Sequence, residues 1–191
     1  MKILKDTDAV VSIGSYNGCG AFIRDMRKAG YKGFIANVSF VGADALLKKL
    51  NEVKAEAGVD VTAKLINTQV VPLWDDESYP LVVEYRKAME KYNPKLPAEL
   101  GGTEEASSLF SFGSLEGYLN AKLFVEILKR MPVKEWTREA FIKTAEATKS
   151  IDVGMKKSVG FSANNHQASD AVFFTTVQNG KYVEILDWKK L

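Results

Sequence analysis

The sequences AVVSIGSYNG (residues 9–18) and FIANVSFVG (residues 34–42) decide the fold of this chain. In each, an apolar run of strand length is followed at once by small, polar or aromatic residues. The stretch between them carries Ala21, Phe22 and Met26 at helical spacing and ends at Gly30. A strand, a helix and a second strand in this order predict two parallel strands joined by a crossover helix.

Polar and aromatic side chains follow both predicted strands at the points where the strands end. Ser15, Tyr16 and Asn17 follow the first strand, and Ser39 and Phe40 follow the second. Because ligands of open parallel sheets bind just beyond the carboxyl ends of the strands, these five residues are predicted to form a ligand site. The alternative is that they cover the edge of the sheet and orient its loops.

The rest of the chain continues the alternation and then changes character. Helical spacing of apolar residues predicts helices over 44–57, 79–92 and 138–149, and a longer helix that begins at Ser107 or Leu115 and ends at Met131. Residues 64–71 read as a strand, and the tail is β-rich, with Asn179-Gly180 as a hairpin turn. Gly117, inside the long helix, predicts close packing against another helix. The fold class is therefore α/β: a three-layer parallel sheet with flanking helices and a β-hairpin tail.

Composition limits the function. Hydrophobic residues make up 46% of the 191 residues, and the net charge is +2, from 26 basic and 24 acidic residues that are well interspersed. A packed globular protein is expected, and a nucleic-acid partner is not, since that would require a concentrated basic face. No apolar run approaches the roughly 20 residues of a membrane helix.

Catalytic and metal-binding patterns are missing from the sequence. Cys19 and His166 are the single cysteine and the single histidine, which leaves metal ligation without its usual residues. No pair of carboxylates at fixed spacing, phosphate loop or nucleophile elbow is present. The sequence predicts a protein that is not an enzyme, with no catalytic residue, no metal and no cofactor.

Six segments together resemble the branched-chain amino-acid-binding family of ABC-transporter substrate-binding proteins, which have the type I periplasmic binding fold. They are DAVVSIGSY (8–16), AFIRDMRKAG (21–30), SFVG (39–42), TQVVP (68–72), SLEGY (114–118) and VGFSANNH (159–166). Members of this family have two α/β lobes with a ligand cleft between them. The resemblance covers the carboxyl-terminal half only, with 1–72 like part of lobe 2, 73–154 like helices that pack on lobe 1, and 155–191 like the return to lobe 2.

The resemblance also implies roles for particular residues. Tyr16 matches an aromatic residue with which lobe 2 contacts the ligand. Ser39 stands where the family has an acidic residue that pairs with the ligand's α-ammonium group. An ammonium buried in a closed cleft needs a charge or several acceptors, so a neutral hydroxyl makes a carboxylate without an amino group, an aromatic acid included, as good a candidate as an amino acid. Trp74 follows the crossover strand and is predicted either to line the cleft or to pack under the hinge.

By the same resemblance, this chain is a fragment of a solute-binding protein whose full-length parent is periplasmic and delivers a small amino acid or carboxylate to an ABC permease. Residues 1–7 (MKILKDT) are too short and too charged to be a signal peptide. A ligand-sensing domain of a receptor or regulator with the same fold is the alternative function, and a doubly wound enzyme is a third. The apolar stripes of the later helices are expected either to pack on one another or to be covered by a second copy, and a homodimer is the expectation we favour.

Overall fold

The computed structural model describes residues 6–95, 97, 99, 109–132, 134 and 136–191, and for residues 55–57 it describes the backbone alone. The chain divides into two compact units. Unit 1 comprises Met1–Leu73 and Val172–Leu191, and unit 2 comprises Trp74–Ala171. The first change of unit lies one residue after the change predicted at 72/73. The second lies at 171/172, so residues 155–171, which the sequence assigns to the return segment, cluster with unit 2.

Unit 1 is a mixed five-stranded sheet with helices, in the order β1-β2-β3-β4-β5. The first three strands run parallel, while β4 and β5 add to the sheet antiparallel beside β3. Along the chain its elements are β1 (Ala9–Ser12), α1 (Tyr16–Lys28), β2 (Phe34–Asn37), a 3-10 turn (Ser39–Val41), α2 (Ala43–Ala57), β3 (Leu65–Gln69), β4 (Phe173–Gln178), β5 (Lys181–Glu184) and a second 3-10 turn (Trp188–Lys190). The predicted α/β class is confirmed.

One apolar core joins the helices of unit 1 to the sheet. Its buried members include Ile23 and Met26 of α1, Leu46 and Leu50 of α2, and Ile35 and Leu65 of the neighbouring strands β2 and β3. The two helices therefore cover the same face. Of the three layers that the fold class comprises, unit 1 contains two, the sheet and the layer of α1 and α2.

The β4–β5 hairpin follows from its turn residues. Asn179 and Gly180 have φ angles of 52° and 75°. Positive φ at both central residues is the requirement of a type I′ turn, whose twist matches that of the flanking strands. The hairpin predicted from Asn179-Gly180 is confirmed.

The described part of unit 2 contains three α-helices, α3 (Pro80–Tyr92), α4 (Phe112–Leu128) and α5 (Arg138–Ala147). The start of α4 at Phe112 lies between the two predicted starts, because the Ser111 hydroxyl caps it by accepting from Ser114 N at 3.1 Å; Ser107 lies outside the described residues. Tyr85 ties α3 to this cap through hydrogen bonds from Ser111 N at 3.1 Å and with Ser114 Oγ at 2.6 Å.

The helices of unit 2 test two predictions, the burial of their apolar stripes and the close packing of Gly117. The apolar stripes of α3 and α4 are largely buried, with Leu81, Val82, Tyr85, Leu115 and Leu123 among the buried residues. Packing within the chain, the first of the two alternatives, therefore accounts for the burial in α3 and α4, whereas α5 has no buried residue and its Ile142 is 45% exposed. The prediction for Gly117 was wrong, because Gly117 is exposed and a Cβ there would meet no atom of the described residues within 4 Å.

Candidate functional site

The two polar clusters lie on one edge of the unit 1 sheet. β1 and β2 are parallel neighbours with Ser12 opposite Asn37, so the residues that follow both strands meet at the same edge. A Cβ built on Gly42 would lie 3.8 Å from Tyr16 Cδ1, which shows how closely the two segments approach. We call the five predicted residues Ser15, Tyr16, Asn17, Ser39 and Phe40 the rim.

Rim side chains are available for contact. Phe40 is 70% exposed and Tyr16 is 40% exposed, while Ser15 and Asn17 are also exposed. Ser39 is half-buried, and its backbone N–H donates to Thr68 Oγ1 at 3.2 Å. This bond ties the turn after β2 to the next strand. The exposed parts of the Tyr16 and Phe40 rings are apolar surface that a ligand could remove from water.

Both helices of unit 1 begin at the rim without a side-chain cap. Ser15 precedes α1 with φ −78° and ψ 160°, and Gly42 precedes α2 with a φ of 77°, a left-handed conformation that favours glycine. The N–H groups of the first turn of a helix have no partner inside the helix and favour negative charge. The first turn of α1 carries no acidic residue, whereas that of α2 carries Asp44, so α1 is the better place for an anionic group.

A buried polar network underlies the rim. Asn37 Nδ2 donates to Asn67 Oδ1 at 3.1 Å, Asn67 Nδ2 donates to the Tyr182 hydroxyl at 2.9 Å, and that hydroxyl donates to the carbonyl of Ala43 at 3.0 Å. Burial, and next the charge of Asp44, raise the pKa of Tyr182 far above its ordinary value. The network connects β2, β3 and β5 to the first residue of α2. It therefore holds the turn that presents Ser39 and Phe40.

Sequence reasoning missed this network. Its signal was the amide side chains in otherwise apolar strands, Asn37 in FIAN and Asn67 in LINTQ. Buried amides need partners inside the protein. Among the described residues, three buried side-chain atoms lack a hydrogen-bond partner, and two of them belong to amides, Asn37 Oδ1 and Gln69 Nε2; the third is Arg27 Nε.

Trp74, the sixth predicted site residue, belongs to unit 2. Its ring stacks on Phe110 with a centroid distance of 5.9 Å and an interplanar angle of 19°. Phe110 also lies under the guanidinium of Arg86, 4.5 Å from the ring centroid. Trp74 thus makes a packing contact in its own unit, and its role in a ligand site stays a prediction.

Neither the single cysteine nor a cluster of metal-ligating side chains adds a further site in the part of the chain that the structure describes. Cys19 is buried and accepts a hydrogen bond from Ser12 Oγ at 3.2 Å. Within the described residues, no three His, Cys, Asp or Glu side chains come together as metal ligands. Nor does any described helix combine the length and the apolar character that a membrane span requires.

Comparison with known proteins gives a family and a fold. A family model described as periplasmic binding protein matches residues 4–181. The structure of a possible leucine/isoleucine/valine-binding protein from Rhodopirellula baltica SH 1 is 32% identical and has a TM-score of 0.78, with 96% of this chain and 44% of that chain covered. No curated protein sequence matches the chain significantly.

Two more distant structures share the fold. A branched-chain amino acid ABC transporter from Thermus thermophilus, with bound valine, is 14% identical with a TM-score of 0.69, covering 97% of this chain and 47% of that one. A fatty acid ABC transporter substrate-binding protein from Thermomonospora curvata is 16% identical with a TM-score of 0.71, covering 96% and 44%. The chain spans less than half the length of each of these three structures.

Proposed function

This chain belongs to the family of periplasmic binding proteins, and on that premise we propose that it forms part of the solute-binding component of an ABC importer. The rim is one wall of the ligand cleft, and the opposite wall belongs to the part of the protein that the matched structures have in addition. The observation that carries the proposal is the meeting of two polar-aromatic clusters at the ends of the parallel strands β1 and β2. The role is binding without bond chemistry.

The ligand in this proposal is a small amino acid or carboxylate. Tyr16 and Phe40 supply apolar area, and the uncapped first turn of α1 supplies N–H groups for a carboxylate. Ser39 supplies no negative charge for an ammonium group, which favours acids without an amino group. Structures of this fold include one with bound valine and one of a fatty acid transporter's binding protein, so the fold accommodates both classes.

The proposal extends to the location of the full-length parent and to its partners. The full-length parent is periplasmic, and its ligand-bound form engages an ABC permease. A ligand-binding role of Trp74 stays a prediction. A homodimer of this chain stays a prediction, which light scattering at micromolar concentration tests.

The experiment is a titration of the 15N-labelled chain, followed by NMR, with leucine, phenylalanine and benzoate. One rim forgoes much of the desolvation that makes a closed cleft tight, so affinity weaker than about 1 μM is expected, with shifts confined to the backbone amides at the rim. Matched titrations of Tyr16→Ala and Tyr92→Ala separate the rim from an exposed tyrosine elsewhere, in α3. Shifts that avoid the rim, or their absence with every compound, would contradict the site.

A further inference from the structure

Unit 2 contains a cavity of about 470 Å3 between α4, α5 and the loop over 161–168. This volume lies in the range of pockets that hold small organic ligands. Its wall is largely apolar and includes Leu123, Phe124, Ile127, Phe141, Ile142 and Phe161. The cavity shares no residue with the rim.

The polar part of the described wall contains one carboxylate. Glu146 is the single carboxylate among the described residues that line the cavity, and neither lysine nor arginine lines it there. His166 Nε2 lies 2.9 Å from Glu146 Oε1, and the amide of Asn120 also lines the wall. A carboxylate ligand would be repelled, and an ammonium group would gain a charge-assisted hydrogen bond to Glu146.

The aromatic rings strengthen this preference for a cation. Phe124 and Phe141 lie with ring centroids 5.2 Å apart, and Phe161 lines the same cavity. Ring faces attract cations and pack against apolar chains. Phe124 is 52% exposed and Ile142 is 45% exposed, so a ligand that covers them removes apolar surface from water.

We propose that this cavity binds a hydrophobic primary amine, with the ammonium group on Glu146 and the apolar body against Phe124 and Phe141. The inference is independent of the function proposed for the rim. An amine is the ligand class we name because the single carboxylate of the described wall, whose partner there is His166, stands among mostly apolar and aromatic side chains.

The test uses a pair of probes of the same shape, 3-phenylpropylamine and 3-phenylpropionate, titrated into the 191-residue chain by calorimetry. The amine is expected to bind at least about tenfold more tightly than the acid, which is the scale of one charge-assisted contact. Glu146→Gln keeps a hydrogen-bond acceptor for His166 but removes the charge, and is expected to weaken amine binding about tenfold. Glu139→Gln removes the same charge from the same helix, at an exposed residue outside the cavity wall, and should leave binding unchanged.

A second variant tests whether the amine binds inside this cavity. Ala145→Leu puts a larger side chain into the cavity from α5, where leucine is a good helix former. It should abolish amine binding while circular dichroism shows an unchanged fold. Equal binding of the amine and the acid, no effect of Glu146→Gln, retained binding in Ala145→Leu, or no binding at all would each overturn the proposal. A dimer by light scattering that Ala145→Leu dissociates would overturn it too, by showing that a second copy covers the cavity.

Discussion

Asn67 donates a hydrogen bond from Nδ2 to the hydroxyl of Tyr182 at 2.9 Å, although the two residues lie 115 positions apart in the chain. Asn67 is fully buried in the parallel part of the sheet, and Tyr182 comes from the antiparallel hairpin. The same hydroxyl donates to the carbonyl of Ala43 at the start of α2. The hairpin is therefore attached to the sheet by a side-chain bond that ends next to the rim.

Tyr182→Phe is expected to lower the free energy of unfolding of unit 1 by about 1–3 kcal/mol, since it leaves the Asn67 amide and the Ala43 carbonyl without this partner in a buried place. Urea unfolding followed by circular dichroism measures the change. Tyr92→Phe is the matched control, because Tyr92 is 71% exposed, and a shift within about 0.5 kcal/mol is expected there. Equal effects of the two variants would show that the network contributes nothing to stability.

The difference in unfolding free energy between the wild type and Tyr182→Phe should become smaller at alkaline pH. Burial raises the pKa of Tyr182 in the folded chain, so the proton stays on the folded protein after an unfolded tyrosine has lost it. Stability from this group is complete below about pH 10, the ordinary tyrosine value, and falls by about 1.4 kcal/mol per pH unit above it. The gap between the wild type and Tyr182→Phe should therefore be constant from pH 7 to 9 and narrow at higher pH. A gap that widens above pH 10 would contradict the sign.

Local sequence pattern predicts the first two strands of the fold but not the hydrogen-bond partner of Asn67. The apolar runs at 9–13 and 34–38 each end in a polar cluster, and local pattern alone predicts two parallel strands with a common edge. The partner of Asn67 could not be predicted in this way, because it depends on β4 pairing antiparallel with β3 across a long stretch of chain. The order of strands in a sheet depends on contacts between segments far apart in the chain, which the local sequence pattern of one strand does not reveal.

The sequence predicts which residues form the rim, but it does not predict the hydrogen bonds that hold them in position. Ser15 and Ser39 were identifiable because they follow strands, whereas the bond from Ser39 N to Thr68 Oγ1 joins segments whose alignment the strand register decides. In the same way, Gly117 inside a helix carries no signal that tells close packing from an exposed position. In the structure Gly117 is exposed, and no atom of the described residues lies within 4 Å of a Cβ built there.

Two glycines of unit 2 should respond to alanine in opposite directions. Gly154 has a φ of 83°, and a Cβ there would lie 2.5 Å from Leu81 N, which donates to the Gly154 carbonyl at 3.1 Å. Gly154→Ala is expected to cost about 1–3 kcal/mol of unfolding free energy, because it combines backbone strain with a clash against backbone. Gly117→Ala in α4 should instead stabilise by about 0.5–1 kcal/mol, since alanine loses less chain entropy in a helix. Thermal and urea unfolding of both variants measure these changes in unfolding free energy. Destabilisation by Gly117→Ala would show that Gly117 makes a packing contact.

Tyr16→Ala tests the rim by separating affinity from stability. The ring of Tyr16 is 40% exposed and approaches Gly42 without a hydrogen bond to the core network, so its loss should change the unfolding free energy by less than about 1 kcal/mol. If the ring covers one side of a ligand, the same change should weaken binding of whichever titrated acid or amino acid shifts the rim amides, by about tenfold. Tyr92→Ala removes an equal ring from an exposed helix position and should leave both quantities unchanged. A Tyr16→Ala chain that unfolds more easily but binds as before would make Tyr16 a residue that only covers the sheet edge, which is the alternative that the sequence left open.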